Sequence, residues 1–250
     1  MGADKVKIIS LVPSWTETLL AAGVNVVGRT RFCIHPDHIV KNIPAVGGTK
    51  SLDIKKLKDI NPDYILVDKQ ENTKEMAEQV GAAAFKLLVT DVTDFKSVTE
   101  SLSYLGQKLK NDQLNKMADR YRAVVSGPKK IDPQSFFLNS FLKGNLADFT
   151  KAKNFAYVIW KNPFMVVGES TFIAQNFKLI GIEFGVSEKY PEIADDVLKE
   201  KFCFFSSEPY PFLKDYHGLL KQGFKGVVVD GEKLSWYGIR NLKFLEACLK

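Results

Sequence analysis

Two Rossmann-like α/β lobes joined by a rigid backbone helix are the fold class that this 250-residue sequence predicts. Three observations predict it. Short apolar, β-branched runs alternate with helix-period stretches through the first part of the chain, the signature of βα units building a mostly parallel sheet. From Asp94 the period changes to 3.6 with no strand interrupting, and beyond Ala156 the alternation resumes. The expected organisation is an amino-terminal lobe over 1–110, a connecting helix over 111–127 and a carboxyl-terminal lobe over 128–250.

In order along the chain, strands are expected at Val6–Leu11, Val24–Gly28, Ala45–Val46, Tyr64–Val67 and Phe85–Thr90. Between the first two, Ser14 or Thr16 is positioned to cap a helix through Leu19, Leu20 and Ala22 that stops at Gly23. Asp53 opens a helix carrying Ile54, Leu57 and Ile60, which must end before Asn61-Pro62 because proline disfavours a helical residue ahead of it. Phe95, Val98, Leu102, Leu105 and Leu109 share one helical face, and after Asn111-Asp112 a second helix carries Leu114, Met117, Tyr121 and Val124. Asp132-Pro133 reads as the cap and first turn of a further helix bearing Phe136, Phe137, Phe141 and Leu142. The second lobe is expected to hold strands at Ala156–Trp160, Phe202–Ser206 and Gly226–Asp230, with a helix over Thr171–Ile180.

Composition narrows the function classes. With 45% hydrophobic and 26% charged residues, 17 Gly and 10 Pro, the chain is globular rather than disordered, collagen-like or low-complexity. Its longest apolar runs, Phe202–Phe205 and Gly226–Val229, are far shorter than the roughly 18 residues of a membrane span. The net charge of +6 is mild, and its densest cluster, Lys55, Lys56 and Lys58, reads as a solvated face. Nucleic acid is therefore not an expected partner. Cys33, Cys203 and Cys248 are odd in number, widely spaced and without a CxxC pattern. Free thiols, and a start that runs directly into a strand, lead to an expected cytoplasmic location, or a periplasmic or lipid-anchored one if a signal peptide has been removed.

In open α/β sheets the ligand lies beyond the carboxyl ends of the strands. The residues there are distinctive: Ser14 and Trp15 after the first strand; Phe32, Cys33 and His35 after the second; Thr49 after the third; Lys69, Glu71 and Asn72 after the fourth. The second lobe supplies Trp160 and Phe164, then Glu208 and Tyr210, then Ser235, Trp236, Tyr237 and Arg240. All three tryptophans fall in this set. Aromatic faces suit the stacking of a large planar ligand, and polar groups at the same level suit its rim. Trp15 and Trp160 are also candidates to plug the ends of their sheets as core residues. Cys33 and His35, two apart, suit either ligation of a soft or borderline metal, with Glu71 and Glu208 to complete the set, or plain packing and polar contact. A serine-hydrolase reading of Ser14, His35 and Asp68 lacks a GxSxG elbow, and Gly47-Gly48-Thr49-Lys50 lacks phosphate-loop spacing.

The run Ile8–Glu17 with Ala22-Gly23, then Val26-Val27-Gly28, then Asn61-Pro62-Asp63-Tyr64-Ile65-Leu66, resembles the amino lobe of the cobalamin- and siderophore-binding proteins of ABC importers, the helical-backbone metal receptors. The similarity continues more loosely through Asn162–Met165, Gly168 and Asp230–Tyr237. The resemblance implies a class III periplasmic-binding-protein fold with a corrinoid, haem or ferric siderophore held in an inter-lobe cleft, Phe32 packing on the chelate and Trp236 and Tyr237 lining the site. It also implies an ABC permease as partner. One departure weakens that implication: relatives carry a docking glutamate early in the helix after the third strand, where this chain has Lys55.

The expected function is thus a ligand-binding protein without catalytic turnover. Its rival is a cytosolic enzyme acting on a small molecule in the same place, with Lys69, Glu71 and His35 as first suspects. A third reading is an interaction module that dimerises through the helix over Phe136–Leu142.

Overall fold

The computed structural model describes residues 6–48, 51–126, 131–138 and 146–249. These form two compact units. Unit 1 runs from the start of the described chain to Ser126 and takes back Trp236–Lys243, while unit 2 runs from Ile131 to Ser235 and includes the residues from Phe244 onward.

Unit 1 contains β1 (Lys7–Ser10), α1 (Pro13–Ala21), β2 (Asn25–Arg29), α2 (Asp37–Val40), α3 (Ile54–Ile60), β3 (Tyr64–Asp68), α4 (Lys74–Ala82), β4 (Leu87–Thr90), α5 (Phe95–Leu109) and α6 (Asp112–Val125). Its strands pair in the order β2-β1-β3-β4, all parallel. The expected strand at Ala45–Val46 is instead a single bridge from Ala45 to Arg29, because the segment touches the sheet edge only there. The capping of α1 also differs from expectation. Pro13, with its φ already set for a helix, starts it, and no side chain caps it. Thr16 and Thr18 turn their hydroxyls back onto the carbonyls of Val12 (2.9 Å) and Ser14 (2.8 Å). Gly23 ends the turn at φ +74°, a left-handed conformation open to glycine.

The other helix boundaries follow the sequence signals. Asp53 caps α3 by accepting from the Lys56 amide, and Asn61 closes it in the left-handed region ahead of Pro62. Asp94 and Ser97 form a capping box on α5, and Asn111 caps α6. The apolar faces of these two helices are buried as their period requires, and α5 and α6 pack along one another.

Unit 2 contains α7 (Leu146–Lys151), β5 (Phe155–Trp160), β6 (Met165–Val166), α8 (Phe172–Lys178), α9 (Asp195–Lys199), β7 (Phe202–Ser206), α10 (Phe212–Lys221), β8 (Lys225–Val229) and α11 (Gly231–Ser235). Its sheet runs β6-β5-β7-β8, with β6 antiparallel at the edge. A final helix, α12 (Ile239–Cys248), starts in unit 1 and ends in unit 2.

The central strand β7 is buried on both faces, which is why it reads as an uninterrupted apolar run. Phe202 and Phe204 meet Phe149, Phe155 and Phe177 on one side. Phe205 meets Phe212, Tyr216 and Phe224 on the other. Full burial of each ring contributes about 1.5–3 kcal/mol. The helix expected after Asp132-Pro133 is a short 3-10 turn, Pro133–Phe136. Phe136 packs on Phe177 and Phe244, and Phe137 bridges to Val229, so these rings belong to the core of unit 2 and do not form a dimerising face. Phe141 and Leu142 lie outside the described residues.

Candidate functional site

Parallel pairing gathers the carboxyl ends of β1 to β4 at one edge of unit 1, where the segments after Ser10, Arg29, Asp68 and Thr90 all emerge. Two kinds of surroundings meet there, one dry and one exposed.

The dry part centres on Asp68, the last residue of β3. Its carboxylate accepts from the Thr90 hydroxyl (2.6 Å) and from the amides of Gln70 (2.8 Å) and Val92 (3.2 Å). Burial pushes its pKa up, and these hydrogen bonds offset only part of the rise. Trp15, wholly buried, donates its indole N–H to the same Thr90 hydroxyl at 2.9 Å. The Tyr237 ring lies edge-on to Trp15 with centroids 5.1 Å apart, and its buried phenol sits beside the Asp68 and Ser14 side chains. Burial, followed by the charges of Asp68 and Glu71, holds that phenol neutral far above its ordinary range.

Cys33 is buried beside this group. Thr16 donates to its sulfur at 3.1 Å and Thr30 sits at 3.2 Å. Burial raises the thiol pKa, and these hydrogen bonds lower it by less. Ser14, Trp15, Cys33 and Tyr237, expected to line the ligand site, are therefore interior residues. The Trp15 indole N–H turns inward to Thr90, and the Cys33 sulfur turns inward to Thr16 and Thr30.

The exposed part is the loop after β2 together with Trp236. Phe32 is 45% exposed with the Arg31 guanidinium 4.9 Å from its ring centroid, and Ile34 beside it is 48% exposed. The His35 ring lies 5.4 Å from the half-buried Trp236 ring at 66°. The Arg240 guanidinium lies over the same indole at 5.3 Å and makes a two-pronged pair with Glu17, Nε to Oε2 at 2.8 Å and Nη2 to Oε1 at 3.1 Å. His35 thus engages an indole while Cys33 points into the core, so the two do not form a ligand pair. Among the described residues no group of three or more His, Cys, Asp or Glu is placed to hold a metal.

Lys69 and Asn72 border a third feature of unit 1, a cavity of about 390 Å³ walled by Val67, Ala77 and Val89 and rimmed by Asp68, Thr73 and Lys74. Its size lies near the lower end of the roughly 300–1,000 Å³ common for ligand pockets. Asn72 fixes the turn, accepting from the Asp68 amide at 2.9 Å and donating to the Leu11 carbonyl at 3.2 Å. Lys69 pairs with Asp91 at 3.3 Å, and Glu71 is exposed. Thr49 lies outside the described residues.

In unit 2 the strand ends present Trp160, 42% exposed and edge-on to Tyr210 with centroids 5.8 Å apart. The Tyr210 hydroxyl donates to Asp215 at 2.7 Å, and Lys161 donates to the same oxygen at 2.6 Å. Lys161 first and Tyr210 second hold the Asp215 carboxyl below its usual range. Glu208 accepts from Ser235 at 3.1 Å. Phe164, expected with this group, is buried against Phe224 because the turn after β5 folds back onto the core.

Sequence reading missed Thr90, Val89 and Ala77, and it passed over Asp68 except as one member of an unconvincing triad. A carboxylate ending a buried strand was the available signal, since a buried charge must be satisfied locally.

No family model matches the chain. The vitamin B12-binding protein of Vibrio vulnificus (strain YJ016) is 23% identical over 210 residues, 80% of this chain and 71% of that protein. The Photorhabdus laumondii protein of the same name matches over 107 residues at 24%, which is 38% of its own length. Among solved structures, the periplasmic vitamin B12 binding protein BtuF of Vibrio cholerae aligns with a TM-score of 0.69 at 15% identity, covering 97% of this chain and 94% of that one. The periplasmic heme-binding protein RhuT from Roseiflexus sp. RS-1 aligns at 0.74 and 17%, covering 97% and 96%. This is the class III periplasmic-binding-protein fold.

The resemblance stated from the sequence holds in both kinds of comparison, and the proteins sharing the class III fold are named for binding rather than for catalysis. They also correct the expected cytoplasmic location, since BtuF and RhuT are periplasmic proteins. The thiols were poor guides to compartment. Cys33 and Cys203 are each buried in the core of their own unit, so neither is placed to report a redox environment. No helix among the described residues is long and apolar enough to cross a membrane.

Proposed function

We propose that the chain is a substrate-binding protein whose cargo is a planar metal chelate, a cobalamin, a haem or a ferric siderophore. The observation that carries this reading is the partly exposed aromatic group of unit 1. Phe32, His35 and Trp236 stand at the carboxyl-terminal edge of a parallel sheet, where α/β folds bind ligands. Phe32, 45% exposed, and Ile34 two residues on, 48% exposed, leave apolar surface open to a ligand on that loop. The named ligands of the matched proteins, vitamin B12 and heme, suit such a surface. Trp160 and Tyr210 give unit 2 an aromatic surface of its own.

The same reading keeps 111–127 as the connecting backbone helix and an ABC permease as partner. Lys55, exposed on α3, calls for a permease surface that differs in charge from one built to receive a glutamate. The enzyme alternative is disfavoured, because Lys69, one of its suspects, is paired with Asp91 on the surface and the matched proteins are binding proteins.

The test is titration with cyanocobalamin, ferric haem and ferrioxamine, followed by absorbance, tryptophan emission and thermal melting. One chelate is expected to bind and to raise the melting temperature. At a hundredfold excess over Kd the stabilisation is about 2.7 kcal/mol. Absence of quenching and of any melting shift with all three would overturn the proposal.

A further inference from the structure

The Trp236 indole is met by two side chains, Arg240 from the next turn of chain and His35 from the loop after β2, and a third, Glu17, holds the first of them. Arg240 lies over the indole at 5.3 Å and His35 meets it at 5.4 Å, while Glu17, from the middle of α1, grips the guanidinium with both carboxylate oxygens. Glu17 and Arg240 are only 17% and 19% exposed, so their pairing is shielded in a way that surface ion pairs are not. The backbone next to the indole is equally fixed. The Ile239 amide donates to Thr18 at 3.0 Å, and Tyr121 donates to the Gly238 carbonyl at 3.0 Å. Gly238 has φ +85° and an added Cβ would stand 2.1 Å from the Thr18 hydroxyl.

The geometry points to Glu17 and Arg240 as positioning residues that hold the Trp236 indole ready for the chelate. This rests on the ligand reading above. Arg240 acts by clamping the ring, with its Nε and Nη2 edge engaged by Glu17. Two consequences follow. Removing the Glu17 charge loosens the indole in the free protein, and the affinity lost is the ordering cost of one large side chain, roughly three- to tenfold. The loss is the same for neutral cyanocobalamin and for dicarboxylate haem, whichever of them binds.

The experiment uses full-length protein labelled with 5-fluorotryptophan, which gives one fluorine resonance for each of Trp15, Trp160 and Trp236, the last assigned by Trp236→Phe. In Glu17→Gln the Trp236 resonance is expected to shift or broaden while the other two stay in place, with the affinity loss above. Glu17→Asp should recover part of both effects. An unmoved Trp236 resonance overturns the positioning role even if a chelate binds. Movement of all three resonances together overturns it as well, by showing general loosening. If wild-type protein binds none of the three chelates and Glu17→Gln still moves only Trp236, the clamp stands and the ligand reading falls.

Discussion

The two units solve the same problem, a four-stranded sheet with helices on it, by different chemistry. Unit 2 is held by ring against ring: Phe155, Phe177, Phe202 and Phe204 form one aromatic layer and Phe205, Phe212 and Phe224 another. In unit 1, aliphatic packing around Ile9, Leu57, Ile65 and Val80 is pierced at one sheet edge by a polar network of Trp15, Thr90 and Asp68. Apolar burial is non-directional and tolerates small shifts, whereas a buried hydrogen-bond network demands its partners in place. The Tyr237 ring, edge-on to Trp15 of this network, directly follows Trp236 in the chain. The contrast teaches where positional accuracy is concentrated: next to the surface proposed to meet the ligand.

The contrast can be broken by mutation, and the largest effect belongs to the aromatic layer. Phe204→Ala is expected to cost about 3–5 kcal/mol in denaturant unfolding, because the cavity left among packed rings does not collapse. Gly238→Ala should come next, about 1–3 kcal/mol. Its backbone is at φ +85° and its new methyl group meets Thr18, so the melt drops even though a methyl group is all that is added. Trp15→Phe removes the donor to Thr90 and should cost about 1–3 kcal/mol in the same assay, although most of the apolar surface is kept.

The pH response sharpens the comparison further, since one carboxyl in each unit contributes with opposite sign. Asp68 has a raised pKa, so folded unit 1 binds its proton more tightly than the unfolded chain does. Its contribution is present below the ordinary aspartate value and is lost as pH rises through the raised one. Glu169 in unit 2 is pushed up by burial, but the Lys178 ammonium and the Phe184 and Gly185 amides outweigh this and leave it lowered. Its contribution is present above the ordinary glutamate value and is lost as pH falls through the lowered one. Asp68→Asn should flatten the first slope and Glu169→Gln the second in melts across pH 2–7. A slope unchanged by its own substitution would remove that residue from the account.

The smallest effect is on reactivity. Burial raises all three thiols, with Cys203 pushed up to about 12, and Cys248 is the least buried of them. A disulfide reagent should therefore label Cys248 first, and Cys33 and Cys203 only on unfolding.

Much of this was legible in the sequence. The alternation of strands with helices predicted α/β units, because caps, prolines and apolar period act locally: Asp53 caps the helix it was expected to open, and Asp94 and Asn111 cap the helices whose starts the apolar period located. The candidate site was legible by address but not by orientation. Trp15 and Trp160 both follow strands, yet one is wholly buried and the other is 42% exposed. What separates them is Thr90, which is 75 residues from Trp15 in the chain and adjacent only once β3 and β4 have paired. Cys33 and His35 were equally ambiguous, and they part because Thr16 and Thr30 take the thiol inward while Trp236 meets the imidazole.

By itself, the order of residues determined the class of the fold, the ends of several of its helices and the short list of side chains at the strand ends. Those depend on interactions within a few residues. Tertiary structure decided which of these side chains face inward, that Glu17 reaches Arg240 across 223 positions of chain, and that Trp236–Lys243 returns to complete unit 1. Such pairings depend on where separate strands and helices come to rest, and no local pattern encodes that distance.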